Sequence, residues 1–272
     1  MSKGARVIVF ANQKGGVGKT TAVFNTAAGL AAIGKRCLLI DLDGQGNLTY
    51  SAAAKQSEKS AYSFLQGYTN LQETIQQVPI GDTLPANEAD LSGADKKIQK
   101  TTKLKEALQR SEALYKYDYI FIDTPPALGM LTINAFTAAD SVVIPTAADI
   151  MSLQGVNRVY ETIKEVREQS NPKINVDGLL LFRYSNRTII SRQLAEEAAL
   201  VAASMRCSVY RATIREAVQV RESQVEQQSL FEYAPTAKVT DDFRLFINEL
   251  TGEYEEEADK IRAEREAAYN DK

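Results

Sequence analysis

Residues 12–21 read Asn-Gln-Lys-Gly-Gly-Val-Gly-Lys-Thr-Thr, and they directly follow an apolar run, Val-Ile-Val-Phe, at positions 7–10. This order predicts a strand, a phosphate-binding loop and a helix, because glycines let backbone N–H groups approach an anion that the helix N-terminus also attracts. Lys19 can reach the β- and γ-phosphates of a nucleotide, and the Thr20 hydroxyl can bind Mg²⁺. The chain is therefore predicted to bind a nucleotide through seven consecutive residues: Gly15, Gly16, Val17, Gly18, Lys19, Thr20 and Thr21.

The loop departs from the standard pattern G-x-x-x-x-G-K-[ST]. Gln13 occupies the position of the first glycine, and Lys14 adds a second lysine before the glycine pair. Taken alone, Lys14 would be one more solvated loop lysine. The complete run 14–20, K-G-G-V-G-K-T, resembles the signature of the deviant Walker-A ATPases, the family of ParA, MinD and the nitrogenase iron protein. That resemblance implies a catalytic Lys14 that crosses a dimer interface and binds the nucleotide of the other subunit.

Aspartates follow two of the predicted strands. Asp123 ends an apolar strand, where an open α/β sheet binds its ligand, and it is predicted to hold Mg²⁺ together with Thr20. The stretch 41–47, Asp-Leu-Asp-Gly-Gln-Gly-Asn, resembles the D-x-D-P-Q-G-N motif of ParA-like proteins, except for a glycine in place of the proline. The resemblance implies that Asp41 approaches the Mg²⁺ shell and that Asp43 positions the attacking water. On its own, Asp43 would also fit a simple turn residue.

Composition indicates an ordinary globular chain. Of 272 residues, 44% are hydrophobic and 25% are charged, and no apolar stretch approaches the length of a membrane span. The N-terminus lacks the apolar core of a signal peptide, so a cytoplasmic location is expected. The two cysteines form no C-x-x-C pair, and histidine is absent. Any chemistry is therefore expected to depend on aspartate, lysine and Mg²⁺.

Apolar runs alternate with helical patterns along the chain, which predicts an α/β fold with a mostly parallel sheet and helices on both faces. The pattern predicts a strand at 141–144 that ends at Pro145 and one helix over 96–114, whereas 78–87 is weakly patterned and holds two prolines. No linker stands out. We expect one P-loop ATPase domain over residues 1–272, with a helical C-terminal extension from about residue 240.

Three further stretches narrow the resemblance to partition ATPases of the ParA (Soj-like) type. They are D-T-P-P-A-L-G-M-L-T-I-N-A at 123–135, A-A-D-S-V-V-I-P at 138–145, and T-I-R followed by E-S-Q within 213–224. In relatives the last stretch borders the adenine and the DNA face, which implies nucleotide contacts from Ile214 and Arg215. Other branches of the deviant Walker-A family match this sequence less well. No helix-turn-helix is expected before the first strand, the acidic tail does not suit an anionic membrane, and the interface cysteines of the iron protein have no match.

The resemblance implies an ATP-dependent dimerising switch that binds DNA without sequence preference and partitions plasmids or chromosomes. A ParB-like adaptor would stimulate its Mg²⁺-dependent ATP hydrolysis, and the ATP-bound dimer would associate with the nucleoid. Two other interpretations remain open. The chain could be an orphan ParA-like ATPase that positions a protein cargo, or a nucleotide-dependent scaffold that does not bind DNA.

A basic segment supplies the candidate DNA contacts. Residues 183–221 contain seven arginines, no lysine and three glutamates, a net charge of +4. Planar guanidinium groups suit phosphates, so the segment is predicted to face nucleic acid, with Arg187, Arg215 and Arg221 as first candidates. The alternative is a set of scattered surface arginines that pair with local acids.

Overall fold

A central β-sheet organises the computed structural model, which describes residues 4–147, 149–185 and 189–270. Within these ranges there are eight strands: β1 Arg6–Phe10, β2 Cys37–Asp41, β3 Gln76–Val78, β4 Gly81–Leu84, β5 Tyr119–Asp123, β6 Ser141–Ala147, β7 Asn175–Phe182 and β8 Ser208–Val209. Their order in the sheet is β3-β4-β2-β5-β1-β6-β7-β8. All neighbours run parallel except β3 and β4, which form an antiparallel edge.

Helices connect the strands and cover the sheet. The described ranges contain α1 Lys19–Ala32, α2 Asn47–Ser51, α3 Ala61–Gln66, α4 Leu71–Thr74, α5 Glu88–Leu91, α6 Ala94–Lys97, α7 Lys103–Arg110, α8 Ala113–Lys116, α9 Met130–Ala138, α10 Ile150–Gln169, α11 Ile189–Ser204, α12 Val218–Val225, α13 Leu230–Tyr233, α14 Lys238–Thr251 and α15 Glu255–Asn270. Among the described residues, no helix is both long enough and apolar enough to cross a membrane.

The two faces of the sheet pack into separate apolar cores. In β1, Val7 and Val9 join one core with side chains of α9 and α10, whereas Ile8 and Phe10 join the other with α1 and α14. Successive residues of a strand point to opposite faces, so a sheet covered on both sides needs continuous apolar strands. The predicted α/β fold, with a mostly parallel sheet and helices on both faces, is confirmed.

Parallel pairing brings the predicted site residues to one edge of the sheet. β5 lies between β1 and β2, and in this register Asp123 pairs with Phe10 on one side and with Asp41 on the other. The glycine-rich loop leaves the sheet directly after β1. Loop and aspartates therefore meet at the carboxyl ends of three adjacent strands, where open α/β sheets bind ligands.

The prediction that Pro145 ends its strand is wrong. β6 continues to Ala147, because Pro145 stands where no ladder bond is lost. Val143 accepts from the Ala11 backbone N–H at 3.2 Å, and the pairing of β6 with β1 ends there. Pro145 lies two residues further and faces the same side, where its carbonyl accepts from Asn12 Nδ2 at 2.8 Å. Ile144, the one residue between them, and Thr146 face β7 and keep that ladder intact.

Two other stretches differ from what the sequence pattern suggests. Segment 78–87 contains β4, which pairs between β3 and β2 and which the periodicity did not reveal because it is short and carries polar residues. Segment 96–114 forms three short helices rather than one. A side chain from α9 stabilises the break, since Asn134 accepts from the Leu104 N–H at 3.2 Å and donates to the Lys100 carbonyl at 3.1 Å. Tertiary contacts thus override the helical spacing.

Helix α1 packs closely on the C-terminal segment through Gly29. A Cβ atom at this position would lie 2.5 Å from the Phe231 ring and would also collide with Ile247 Cδ1 of α14. The Gly29 carbonyl accepts a hydrogen bond from the Tyr254 hydroxyl at 2.5 Å. The small residue therefore lets α1, the helix that follows the phosphate loop, approach α14 closely.

We predict that Gly29→Ala destabilises the protein. Alanine ordinarily stabilises a helix interior by up to about 1 kcal/mol relative to glycine. Here overpacking should reverse the sign, with a loss of about 1–3 kcal/mol in the free energy of unfolding. Urea denaturation measures the change. The double variant Gly29→Ala/Ile247→Val removes one colliding methyl group and should lose less than the sum of the two single variants. A stabilised Gly29→Ala protein would contradict this packing.

Candidate nucleotide site

The phosphate loop holds its shape through two glycines with positive φ. Gly16 has φ 72° and Gly18 has φ 97°, conformations that side chains with a Cβ rarely adopt. A Cβ at Gly18 would also lie 2.5 Å from the Phe182 ring, whereas the space beside Gly15 and Gly16 is open. Gly18 caps α1 without a side chain, so the first N–H groups of this helix stay available for an anion.

Lys19 places a buried ammonium group against the loop. Its exposed fraction is 7%, and Nζ donates to the Lys14 carbonyl at 3.3 Å. Burial lowers the pKa of Lys19, and the nearby carboxylates of Asp123 and Asp43 oppose that shift. An anion bound in the loop would add a compensating negative charge. This geometry fits the predicted contact of Lys19 with phosphate.

Thr20 and Asp123 form the centre of the candidate Mg²⁺ site. The Thr20 hydroxyl donates to Asp123 Oδ2 at 2.6 Å, while Asp123 Oδ1 is buried and has no hydrogen-bond partner among the described residues. Burial and then the neighbouring Asp41 raise the pKa of Asp123. A hydroxyl and a carboxylate are ligands that Mg²⁺ accepts, and an unpartnered buried oxygen is satisfied by a cation.

The described residues contain no group of three or more His, Cys, Asp or Glu side chains arranged around a metal. That result is compatible with Mg²⁺, which keeps several waters and binds through one or two carboxylates together with substrate phosphates. The residues present therefore fit the ion.

Asp41 holds the loop that follows β2. Its Oδ2 accepts from both the backbone N–H and the hydroxyl of Thr49, at 2.8 and 2.6 Å. Its Oδ1 accepts from the Asp43 N–H at 3.1 Å. Both carboxylate oxygens thus have protein donors, although Asp41 and Asp123 are neighbours in the sheet. The predicted contribution of Asp41 to the Mg²⁺ shell stays a prediction.

Asp43 lies at the edge of the nucleotide cleft. It is 8% exposed, and its Oδ1 accepts from the Gln45 N–H at 3.1 Å, a local turn contact. The other oxygen accepts no hydrogen bond from any described residue, so the carboxylate keeps acceptor capacity. The open cleft has a volume of about 670 Å³, and its lining includes Gly15, Lys19, Thr20, Thr21, Asp43 and Pro126. Asp43 is therefore in a position to orient a water beside a phosphate bound to Lys19.

Lys14 lies beside the loop with its side chain turned away from the cleft. Its ammonium group forms an ion pair with Asp149 at 2.6 Å, with both side chains about one third exposed. Asp149 is the N-cap of α10 and also accepts from the Ser152 N–H and hydroxyl, at 2.9 and 2.8 Å. A pair this exposed contributes at most about 1 kcal/mol, so Lys14 is held but easily released.

The T-I-R and E-S-Q stretches within 213–224 lie in two different places in the structure. Ile214 is buried in the core, and the Arg215 guanidinium gives two hydrogen bonds to Asp242, at 2.6 and 2.7 Å. Neither residue lines the cleft. Instead, α12 presents Arg221 and Gln224 there, and Gln224 Nε2 donates to the Thr21 hydroxyl at 3.1 Å. The glutamine of the E-S-Q stretch was the sequence signal for this contact. The remaining DNA candidate, at position 187, lies outside the described residues.

Comparison with known proteins identifies the family. A family model described as an AAA domain matches residues 5–176. The chain is 38% identical over 252 residues to the chromosome-partitioning ATPase Soj of Thermus thermophilus, an alignment that covers 92% of this chain and 97% of the relative. It is 36% identical to the sporulation initiation inhibitor protein Soj of Bacillus subtilis, over 86% of this chain and 93% of the relative.

The chain belongs to the ParA/Soj family of partition ATPases. Among solved structures, a Mycobacterium smegmatis protein described as cobyrinic acid a,c-diamide synthase, with bound ATP analogue and magnesium, is 31% identical at a TM-score of 0.77. That alignment covers 92% of this chain and 96% of the other. The cell division ATPase MinD of Pyrococcus furiosus, at 24% identity and TM-score 0.73, shares the fold. The predicted ParA-type family, P-loop fold and ATPase activity are thereby confirmed.

We predict that Lys19→Ala in this ParA/Soj-family chain abolishes ATP binding or weakens it at least a hundredfold. Lys19 is the buried cation of the loop, and hydrogen bonds between charged groups contribute about 1.5–3 kcal/mol before the loss of Coulomb attraction is added. Isothermal titration with Mg·ATP measures the affinity. Lys35→Ala, beyond the other end of α1, is the matched control and should bind as the parent does. Unchanged ATP affinity in Lys19→Ala would refute the phosphate-loop assignment.

Proposed function

We propose that this partition ATPase is an ATP-dependent dimerising switch that binds DNA without sequence preference and segregates plasmid or chromosomal DNA. A ParB-like adaptor bound to the cargo stimulates hydrolysis and releases the dimer. The whole chain acts as one ATPase domain with a helical C-terminal segment. It resides in the cytoplasm and associates with the nucleoid when ATP is bound. The observation that carries the proposal is Lys14, a loop lysine that points away from its own cleft.

The predicted cofactors, ATP and Mg²⁺, are confirmed for this family by relatives crystallised with an ATP analogue, ADP and magnesium. Lys19 and the N–H groups at the start of α1 hold the phosphates, while Thr20 and Asp123 hold the ion. When bound, Mg²⁺ neutralises charge on the phosphates. Asp43 orients the attacking water. We propose a slow intrinsic rate, because a switch must persist in its ATP-bound form long enough to act.

The position of Lys14 supports a role across a dimer interface. Its backbone N–H donates to Asn12 Oδ1 at 3.0 Å, which fixes the start of the loop, while the side chain extends outward to Asp149. A lysine that served only its own nucleotide would point into the cleft beside Lys19. We propose that the ATP-bound partner draws Lys14 from Asp149 onto its γ-phosphate, exchanging a weak surface pair for a charged phosphate contact.

Charge supports the DNA-binding part of the proposal. The segment 183–221 has a net charge of +4, and dimerisation would double the number of its arginines that are available to phosphates. Phosphate contacts raise affinity steeply, so pairing two half-surfaces couples ATP binding to DNA binding. Arg215 is less suited to this role than the sequence suggested, because Asp242 holds its guanidinium. We therefore give first place among the DNA contacts to Arg187.

We predict that Asp43→Ala traps an ATP-bound dimer and that Lys14→Gln binds ATP without dimerising. Removal of the water-positioning carboxylate stops hydrolysis, whereas removal of the cross-subunit cation stops assembly. Size-exclusion chromatography with ATP, combined with phosphate release, measures both effects.

Two controls separate these roles from local structure. Asp43→Asn keeps an oxygen for the Gln45 N–H, so it should also trap the dimer if the carboxylate charge is what matters. Asp149→Asn keeps a helix cap but removes the charge that holds Lys14, so it should dimerise at least as well as the parent. A Lys14→Gln protein that dimerises normally would refute the cross-subunit role.

We predict that Arg187→Glu reduces ATP-dependent retention on random duplex DNA while ATP-driven dimerisation survives. Loss of one phosphate contact per subunit should lower the slope of log affinity against log salt by about one or two per dimer. Arg262→Glu, on the acidic α15, is the matched charge reversal and should leave DNA retention intact. Arg215→Glu should instead lower the melting temperature, because it places a like charge against the buried Asp242. DNA retention that is equal in the Arg187→Glu and Arg262→Glu proteins would exclude Arg187 as a contact.

A further inference from the structure

Three arginines lie around the phosphate loop, and one of them has no protein partner. Arg158 donates to Gln13 Oε1 at 3.1 Å, and Arg183 donates to the Gly16 carbonyl at 3.4 Å, so both support the loop itself. Arg221 lines the cleft, but its side chain makes no hydrogen bond or ion pair to any residue in the described ranges. Its guanidinium is therefore available to a ligand in the cleft.

Helix α12 is fixed against the nucleotide-binding helix at this point. Gln224, three residues after Arg221 and therefore on the same helix face, donates to the Thr21 hydroxyl. Just beyond the helix, Gln227 Nε2 donates to the carbonyl of Tyr50, another residue of the cleft lining, at 2.7 Å. These two contacts hold α12 against the cleft next to Thr21, in the first turn of α1.

The charge of the cleft lining favours a ligand contact by Arg221. Its ionisable side chains, apart from tyrosine, are Lys19, Asp43 and Arg221. Lys19 and Asp43 cancel, so without Arg221 the lining would carry no net positive charge for a polyanionic ligand. An arginine with free donors can bind two phosphate oxygens at once through its planar fork.

We propose that Arg221 binds the nucleotide phosphates within its own subunit and that it is not a DNA contact. The anchor at Thr21 lies at the start of α1, next to the loop backbone that cradles the α- and β-phosphates. The guanidinium therefore serves ADP as well as ATP. Arg215, six residues earlier in the same segment, cannot take this place, because Asp242 binds its donors.

The test compares the affinities of Arg221→Gln and the parent for Mg·ADP and Mg·ATP by isothermal titration. Loss of a charged hydrogen bond should weaken both nucleotides about tenfold or more. Arg221→Lys keeps the positive charge but lacks the planar fork of donors, so its nucleotide affinities should lie between those of the parent and Arg221→Gln. Arg206→Gln, an exposed arginine outside the cleft lining, is the matched control and should bind as the parent does. Because Arg221 is exposed and unpartnered, melting of the nucleotide-free variants should not change.

Each outcome decides the assignment. A loss for ATP alone would keep the phosphate contact and move it to the γ-phosphate. Affinities within twofold of the parent for both nucleotides would overturn the proposal. Retention on random duplex DNA is measured in parallel, at ATP concentrations that saturate every variant. A loss of DNA binding with unchanged nucleotide affinity would return Arg221 to the DNA surface. Because ADP binding requires neither a dimer nor DNA, a negative result leaves the partition proposal untouched.

Discussion

The hydrogen bond from Thr20 to Asp123 joins the first turn of α1 to the end of the central strand β5. It is partly buried, and the buried carboxylate it reaches carries a second oxygen without a donor among the described residues. Such an arrangement is costly for the protein alone and becomes favourable when a cation satisfies that oxygen. The fold can keep a charged group at this depth because the parallel register brings Asp123, Asp41 and the glycine loop to one edge. The sheet thus prepares a site that depends on its ligands for full stability.

Asp41 connects the end of β2 to the loop that carries Asp43. Its two oxygens fix Thr49 and the Asp43 backbone, so buried hydrogen bonds set the distance between the Asp43 carboxylate and the Thr20–Asp123 pair. Gly44, where relatives usually carry proline, leaves the turn itself less restricted. Rigid anchors at residues 41 and 49 with a freer backbone between them are compatible with the switch that we propose, since nucleotide switches transmit their state through loops of two conformations.

Sequence alone predicted that the phosphate loop, Lys19, Thr20 and Asp123 come together. Each belongs to a short contiguous motif that follows or ends an apolar strand. The sequence could not assign contacts made between distant segments. The partner of Arg215 is Asp242, twenty-seven residues later in the chain, and no local pattern marks that pairing. The break near residue 102 depends likewise on Asn134 from another helix. The prediction ended a strand at Pro145 because proline lacks the backbone N–H that most positions of a sheet need. Only the pairing register shows that β6 tolerates a proline at this position.

A cluster of like charges in sequence is therefore weak evidence for a single surface. Three of the described arginines of 183–221 are divided by the fold, since Arg183 supports the phosphate loop, Arg215 neutralises a buried carboxylate and Arg221 lines the cleft. They also belong to different parts of the fold, since Arg183 directly follows β7, Arg215 precedes α12 and Arg221 lies within α12. What distinguishes them is the presence or absence of a protein acceptor within reach. An arginine with its donors satisfied stabilises the fold, and one with free donors beside a phosphate loop is available to the ligand.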